Sequence, residues 1–161
     1  MSAKAAQSEP LYMLRSEKGV FVHFYHKHGP KDAPILGYKN ESWDYNPNMN
    51  WKIQRVPGTD TRVIFKSEIN DTVIYSKALN YHLGADQGME NHDTAHWYLE
   101  GCDFSEISET PLVRFRNAKH STLYLDWQHA EPTDGKAFTT GQGNNTASQI
   151  FRICKVHRRE Q

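Results

Sequence analysis

Asp126, Trp127 and Gln128 stand side by side, a carboxylate, an indole ring and an amide. Asn144, Asn145 and Gln149 follow within the same polar stretch, Leu125–Gln149. This is the chemistry that sugar binding needs. The C–H face of a pyranose packs on an aromatic ring, and its hydroxyls exchange hydrogen bonds with carboxylate and amide groups. A similar mixture occurs at Glu41–Asn50, where Trp43 and Tyr45 lie among Asp44, Asn46, Asn48 and Asn50, and a third polar stretch runs from Tyr81 to His96. The plain alternative is that such loops are polar because they face water.

The other reactive groupings are weaker. His92 and His96 have the spacing of a zinc helix, but such a site needs a helix, a Glu base and a third ligand. Here the flanking residues lead into a strand and the acid is Asp93, so a polar loop is expected. His26 and His28 would share one face of a strand with His23 on the other, and Gly29–Pro30 marks a hairpin tip. No metal or cofactor is expected. Nucleophile elbows, phosphate-binding loops and paired-glycine fingerprints are absent from the sequence. Cys154 falls in an alternating strand, and Cys102 lies by a loop with no adjacent base. Nothing nominates an enzyme, and both cysteines are expected to be free thiols. The sequons at Asn40, Asn70 and Asn144 carry no meaning without secretion.

The elements that position these groups are short. Helical periodicity is poor and turn residues recur every few positions. Strands are expected at Leu11–Ser16, Val20–Tyr25, Ile35–Lys39, Trp51–Val56, Arg62–Ser67, Thr72–Ser76, His96–Glu100, Leu112–Asn117, Thr122–Trp127, Ala137–Thr140 and Ile150–Val156, each rich in β-branched or aromatic residues. Several alternate apolar and polar residues, which puts one face on a core.

Repeats organise these strands. Arg15–Ser16, Lys66–Ser67 and Arg116–Asn117 are basic-then-small-polar pairs at offsets of 51 and 50 residues. Ser67–Ser76 aligns without a gap on Asn117–Asp126, which sets Ser76 at the position of Asp126. In the first segment the turn after Ser16 is tighter and contains Gly19. Trp51, Trp97 and Phe151 open closing strands at offsets of 46 and 54 residues. The chain thus divides into three units of about 45–55 residues, each with about four short strands.

This pattern resembles the β-trefoil, and loosely its ricin-B-like branch. That family often opens the last strand of each repeat with Gln-x-Trp. The third unit keeps Gln149–Ile150–Phe151, whereas the first has Met49–Asn50–Trp51 and the second Ala95–His96–Trp97. The resemblance spans roughly residues 11–156 and implies an all-β fold with pseudo-threefold symmetry and the closing aromatics in a shared core. It also implies ligand-binding roles: Asp126 accepting sugar hydroxyls, Trp127 stacking on the ring, and Gln128, Asn144, Asn145 and Gln149 nearby. Gln149 matches the Gln that usually serves structure in that family. If the strand continues through Trp127, alternation sends Trp127 to the core instead.

Composition bounds the alternatives. Lys+Arg and Asp+Glu are 19 each, a net charge of zero, which argues against a phosphate-backbone binder. No run of about 18 apolar residues suggests insertion into a membrane. Residues 1–10 read as a flexible lead without a signal-peptide core, 11–156 as one domain and 157–161 as a polar tail. That predicts a cytoplasmic protein, or one secreted by a route without a classical signal peptide. The leading expectation is a recognition module for a glycan or glycoprotein, either lectin-like or the receptor-binding subunit of a toxin. A protease-inhibitor-type trefoil acting through a loop and a cytoskeletal or signalling binding protein are the alternatives. The oligomeric state is open.

Overall fold

A computed structural model describes residues 9–25, 31–43, 45–59 and 61–157. Most of the N-terminal lead, His26, His28, Asp44 and tail residues 158–161 lie outside them.

Among the described residues the chain forms strands β1 (Tyr12–Ser16), β2 (Phe21–Phe24), β3 (Ala33–Tyr38), β4 (Trp51–Arg55), β5 (Arg62–Ser67), β6 (Val73–Tyr75), β7 (Gly84–Asp86), β8 (Trp97–Glu100), β9 (Leu112–Asn117), β10 (Leu123–Asp126), β11 (Lys136–Ala137), β12 (Thr139–Gln142) and β13 (Phe151–Lys155). Six of these close a ring of antiparallel pairs: β1 with β4, β4 with β5, β5 with β8, β8 with β9, β9 with β13, and β13 back to β1. Closure leaves those six strands no free edge. Three hairpins attach to it, β2–β3, β6–β7 and β10–β12. Among the described residues no helix is long and apolar enough to cross a membrane.

The basic-then-small-polar pairs have a local cause. Ser16 Oγ accepts the Lys18 N–H, Ser67 Oγ the Ile69 N–H, and Asn117 Oδ1 the Lys119 N–H, each at 3.1 Å. A short polar side chain at the strand end thus satisfies a turn donor two residues on. All three acceptor residues are fully buried, so the turn N–H gives a partner to a side-chain oxygen shut away from water.

The closing aromatics also share their surroundings. The 3-10 turns Pro47–Met49, Asp93–Ala95 and Ala147–Gln149 precede β4, β8 and β13, and after each turn the next N–H returns to its first carbonyl. Trp51, Trp97 and Phe151 then point inward, all fully buried. The Trp51 indole N–H donates to the Val22 carbonyl at 2.9 Å and that of Trp97 to Ile74 at 3.2 Å. Phe65 packs on Trp97 and on Phe115, and Phe115 and Phe138 pack on Phe151. Burial of each such ring contributes about 1.5–3 kcal/mol.

His92 and His96 flank a 3-10 turn in the loop that leads into β8, in keeping with the expected loop, and buried His96 donates from Nε2 to the Glu90 carbonyl at 2.7 Å. The structure corrects other expectations. Strand β7, Gly-Ala-Asp, was not expected because small residues and Asp have low strand propensity. Gly84 is needed there, since a Cβ would sit 2.7 Å from both Asp32 and the Tyr75 ring. The strand expected at Ala137–Thr140 pairs instead as β11 and β12.

The gapless alignment of the second and third segments also fails by one residue. Arg15 pairs with Phe21, Lys66 with Val73 and Arg116 with Tyr124. The intervening turns, Glu17–Gly19, Glu68–Asp71 and Ala118–Thr122, lengthen by one residue each time. Asp126 therefore corresponds to Tyr75 and His23, and Trp127 to Ser76 and Phe24. The backbone agrees: the Ser76 N–H reaches the Thr94 carbonyl and the Trp127 N–H reaches Ser148, both at 2.9 Å.

Cys102 and Cys154 are free thiols. Burial, reinforced by Glu106, Asp103 and Glu109, pushes the Cys102 thiol up to about 11. The thiolate is the nucleophile, so native Cys102 should alkylate far more slowly at pH 8.5 than after unfolding. Its rate should keep rising as pH approaches 11; iodoacetamide labelling read by mass spectrometry checks this, and equal native and unfolded rates would contradict it.

Candidate functional site

Asp126 ends β10, opposite Thr139 of β12, with only 2% of its surface exposed. Its Oδ2 accepts from Gln149 Nε2 at 2.9 Å. Gln149, fully buried, spends its second N–H on the Gln142 carbonyl at 2.6 Å. Its Oε1 accepts the Asn144 N–H at 3.1 Å and Arg114 Nη2 at 3.4 Å. The Arg114 guanidinium lies 4.1 Å from the Tyr124 ring centre and donates to Asn145 Oδ1 at 2.6 Å. The chain of contacts holds the carboxylate from below. Its other oxygen, Oδ1, is buried and has no hydrogen-bond partner among the described residues.

Room for this carboxylate depends on Gly141. A Cβ there would lie 2.2 Å from Asp126 Oδ2 and 2.5 Å from Gln128 Nε2. Gly141→Ala should displace both side chains and destabilise the fold by about 1–3 kcal/mol, the range for overpacking; thermal unfolding measures it, and an unchanged midpoint would count against this packing.

Asp126 borders a cleft of about 480 Å³, lined also by Lys18, Gln128, His129, Asn144 and Ser148. Gln128 is exposed; its amide donates to Asn80 Oδ1 at 2.9 Å and accepts from the Thr139 hydroxyl at 2.7 Å. Asn144 Oδ1 accepts from the N–H and hydroxyl of Thr146 at 3.0 and 2.7 Å. Lys18 forms no ion pair among the described residues. Of the residues expected at the site, Asp126, Gln128 and Asn144 meet here. Gln149 lies beneath and braces the carboxylate, while exposed Asn145 holds the Arg114 guanidinium.

The stacking role expected of Trp127 is overturned. Its ring is fully buried, against His129 at 4.5 Å and Phe138 at 4.9 Å, and its indole N–H donates to Glu131. A Cβ on Gly37 would reach 2.3 Å from it. No face remains for a sugar. Lys18 and His129 were missed. Lys18 arrives from the first segment's turn, which no local pattern announces; His129, three residues past the end of β10, could have been included as a ring beside the Asp–Trp–Gln triplet.

The corresponding places elsewhere carry other chemistry. In the first segment His23 replaces Asp126 and packs on Tyr38 at 4.4 Å, beside a cleft of about 330 Å³ that also contains Tyr25, Asn46 and Asn48. In the second, the Tyr75 hydroxyl donates to Asp32 at 2.7 Å, and burial together with that carboxylate raises its pKa above the usual tyrosine range. Only the third segment presents a carboxylate at this point.

No family model matches the sequence, and no curated protein matches it. Solved structures do match its fold. A protein described as the BEL β-trefoil is 14% identical with a TM-score of 0.68, covering 97% of this chain and 100% of that one. The C-terminal half of an earthworm R-type lectin, solved with GalNAc, is 12% identical with a TM-score of 0.68, covering 91% and 99%. A chain of the cytolethal distending toxin of Actinobacillus actinomycetemcomitans is 15% identical with a TM-score of 0.72, covering 94% and 95%. The likeness extends over nearly the full length in each case, and the fold of this chain is the β-trefoil.

Proposed function

We propose that this chain is a non-enzymatic glycan-recognition module, built of three four-stranded repeats related by pseudo-threefold symmetry, whose third-repeat cleft receives sugar hydroxyls. The observation that carries the reading is Asp126: a carboxylate on the border of a polar cleft, braced through Gln149 and Arg114, with one oxygen unpartnered. A buried acceptor left without a donor costs about 1–3 kcal/mol, and a ligand hydroxyl relieves that cost. Gln128, Asn144 and Lys18 supply further donors around it. A trefoil lectin solved with GalNAc and a trefoil toxin chain among the structural neighbours support glycan or glycoprotein binding, in a lectin or in the receptor-binding part of a toxin.

A glycan array run beside a protease panel tests the proposal. Signal on a defined set of glycans with no protease inhibited is the expected result. A silent array, or inhibition of a protease by the folded protein, would overturn it.

A further inference from the structure

With Trp127 in the core, the cleft needs an aromatic face from elsewhere, and the second segment offers one. Asn80 N–H donates to the Thr140 carbonyl at 2.7 Å, and the Thr140 hydroxyl donates to Ala78 at 2.7 Å. Gln128, on the cleft wall, donates to Asn80 Oδ1 at 2.9 Å. Leu83 N–H reaches the Phe138 carbonyl at 3.0 Å. Residues 78–83 are thus pinned along β12 at both ends, with Asn80 in the left-handed region at φ 61°.

Tyr81 stands in this loop, 64% exposed. Trp43 and Tyr45, the other aromatics exposed by half or more, are engaged: Trp43 edges onto Phe21 at 5.1 Å and the Tyr45 hydroxyl bonds Glu68. Tyr81 makes no ring contact, and its hydroxyl no hydrogen bond, among the described residues. The amide N–H groups of Asn80 are likewise without a partner there. Thr139 pairs with Asp126 on one side and bridges to His82 on the other. Two strand spacings, about 10 Å, therefore separate the backbone of Asp126 from that of His82, the residue after Tyr81, a span on the scale of a disaccharide.

We infer that the binding site continues across Thr139 onto this loop, so that Asp126 holds one sugar of an oligosaccharide while Tyr81 stacks on the next and Asn80 donates to its hydroxyls. The inference rests on the glycan reading of the Asp126 cleft. It makes the ligand an oligosaccharide rather than a single sugar. Because the loop is already pinned, little ordering cost opposes binding.

The test is an array carrying single sugars and the oligosaccharides that end in them, probed with wild type, Asp126→Asn, Tyr81→Ala and Tyr81→Trp. Tyr81→Ala should weaken oligosaccharide binding roughly tenfold, the scale of an aromatic contact, and leave single-sugar signals and thermal unfolding unchanged. Tyr81→Trp should retain binding, and its exposed indole should shift its emission to the blue when the oligosaccharide is added. Unchanged oligosaccharide binding in Tyr81→Ala, with binding lost in Asp126→Asn, overturns this inference alone. A silent wild-type array, or full binding by Asp126→Asn, overturns the glycan reading of the cleft and the extension with it.

Discussion

Trp97→Ala is expected to lower the unfolding free energy by about 3–5 kcal/mol, the range for deleting a buried large aromatic. The ring is fully buried beside Phe65, 6.2 Å away, and its loss leaves a cavity that flanking strands β5 and β9 cannot collapse to fill, since both are tied into the closed ring. The change also removes the donor to the Ile74 carbonyl, leaving a buried acceptor unpaired at a cost of about 1–3 kcal/mol within that total. Trp97→Phe separates the two effects, because it keeps most of the ring and loses the donor. Phe151 already fills the corresponding place at the start of the third closing strand, so this variant should be much the milder. Denaturant unfolding measures both. If the alanine variant unfolds near the wild-type midpoint, Trp97 is not part of the core.

Asp126→Asn should weaken glycan binding by about 1.5–3 kcal/mol, the scale of a hydrogen bond to a charged group, which is roughly a ten- to hundredfold loss. The substitution nearly preserves shape. It can keep an oxygen for the Gln149 amide but places an N–H₂ group where the carboxylate had a free acceptor. A sugar hydroxyl that donated there then meets a donor. The control is Tyr75→Phe, since the strand register makes Tyr75 the residue at this point of the second segment. It removes the bond to Asp32 and should leave glycan binding near wild type. Titration of a glycan identified on the array reads both variants. Undiminished binding by folded Asp126→Asn would remove the cleft from consideration, and loss in Tyr75→Phe would move the site to the second segment.

The fold was legible in the amino-acid order because its signals are local. Ser16, Ser67 and Asn117 recur since each must satisfy a donor two residues ahead, and Trp51, Trp97 and Phe151 recur since each opens a strand facing one shared interior. Alternation along β9 and β13 follows from the strand itself. Asp126, Gln128 and Asn144 could likewise be chosen from residue type and neighbourhood. What sequence could not carry was register and encounter. One added residue in the Ala118–Thr122 turn made Asp126 the counterpart of Tyr75 rather than of Ser76, and a slip of one residue changes which face a side chain takes. Whether Trp127 stacked on a ligand or filled the core was decided by Gly37, from another hairpin, whose missing side chain makes room for the ring. Lys18 lines the cleft from the first segment, and Asn80 of the second meets Gln128 on its wall, brought there by hydrogen bonds between residues far apart in the chain. Such contacts depend on how the whole ring closes, and no short window of sequence contains them.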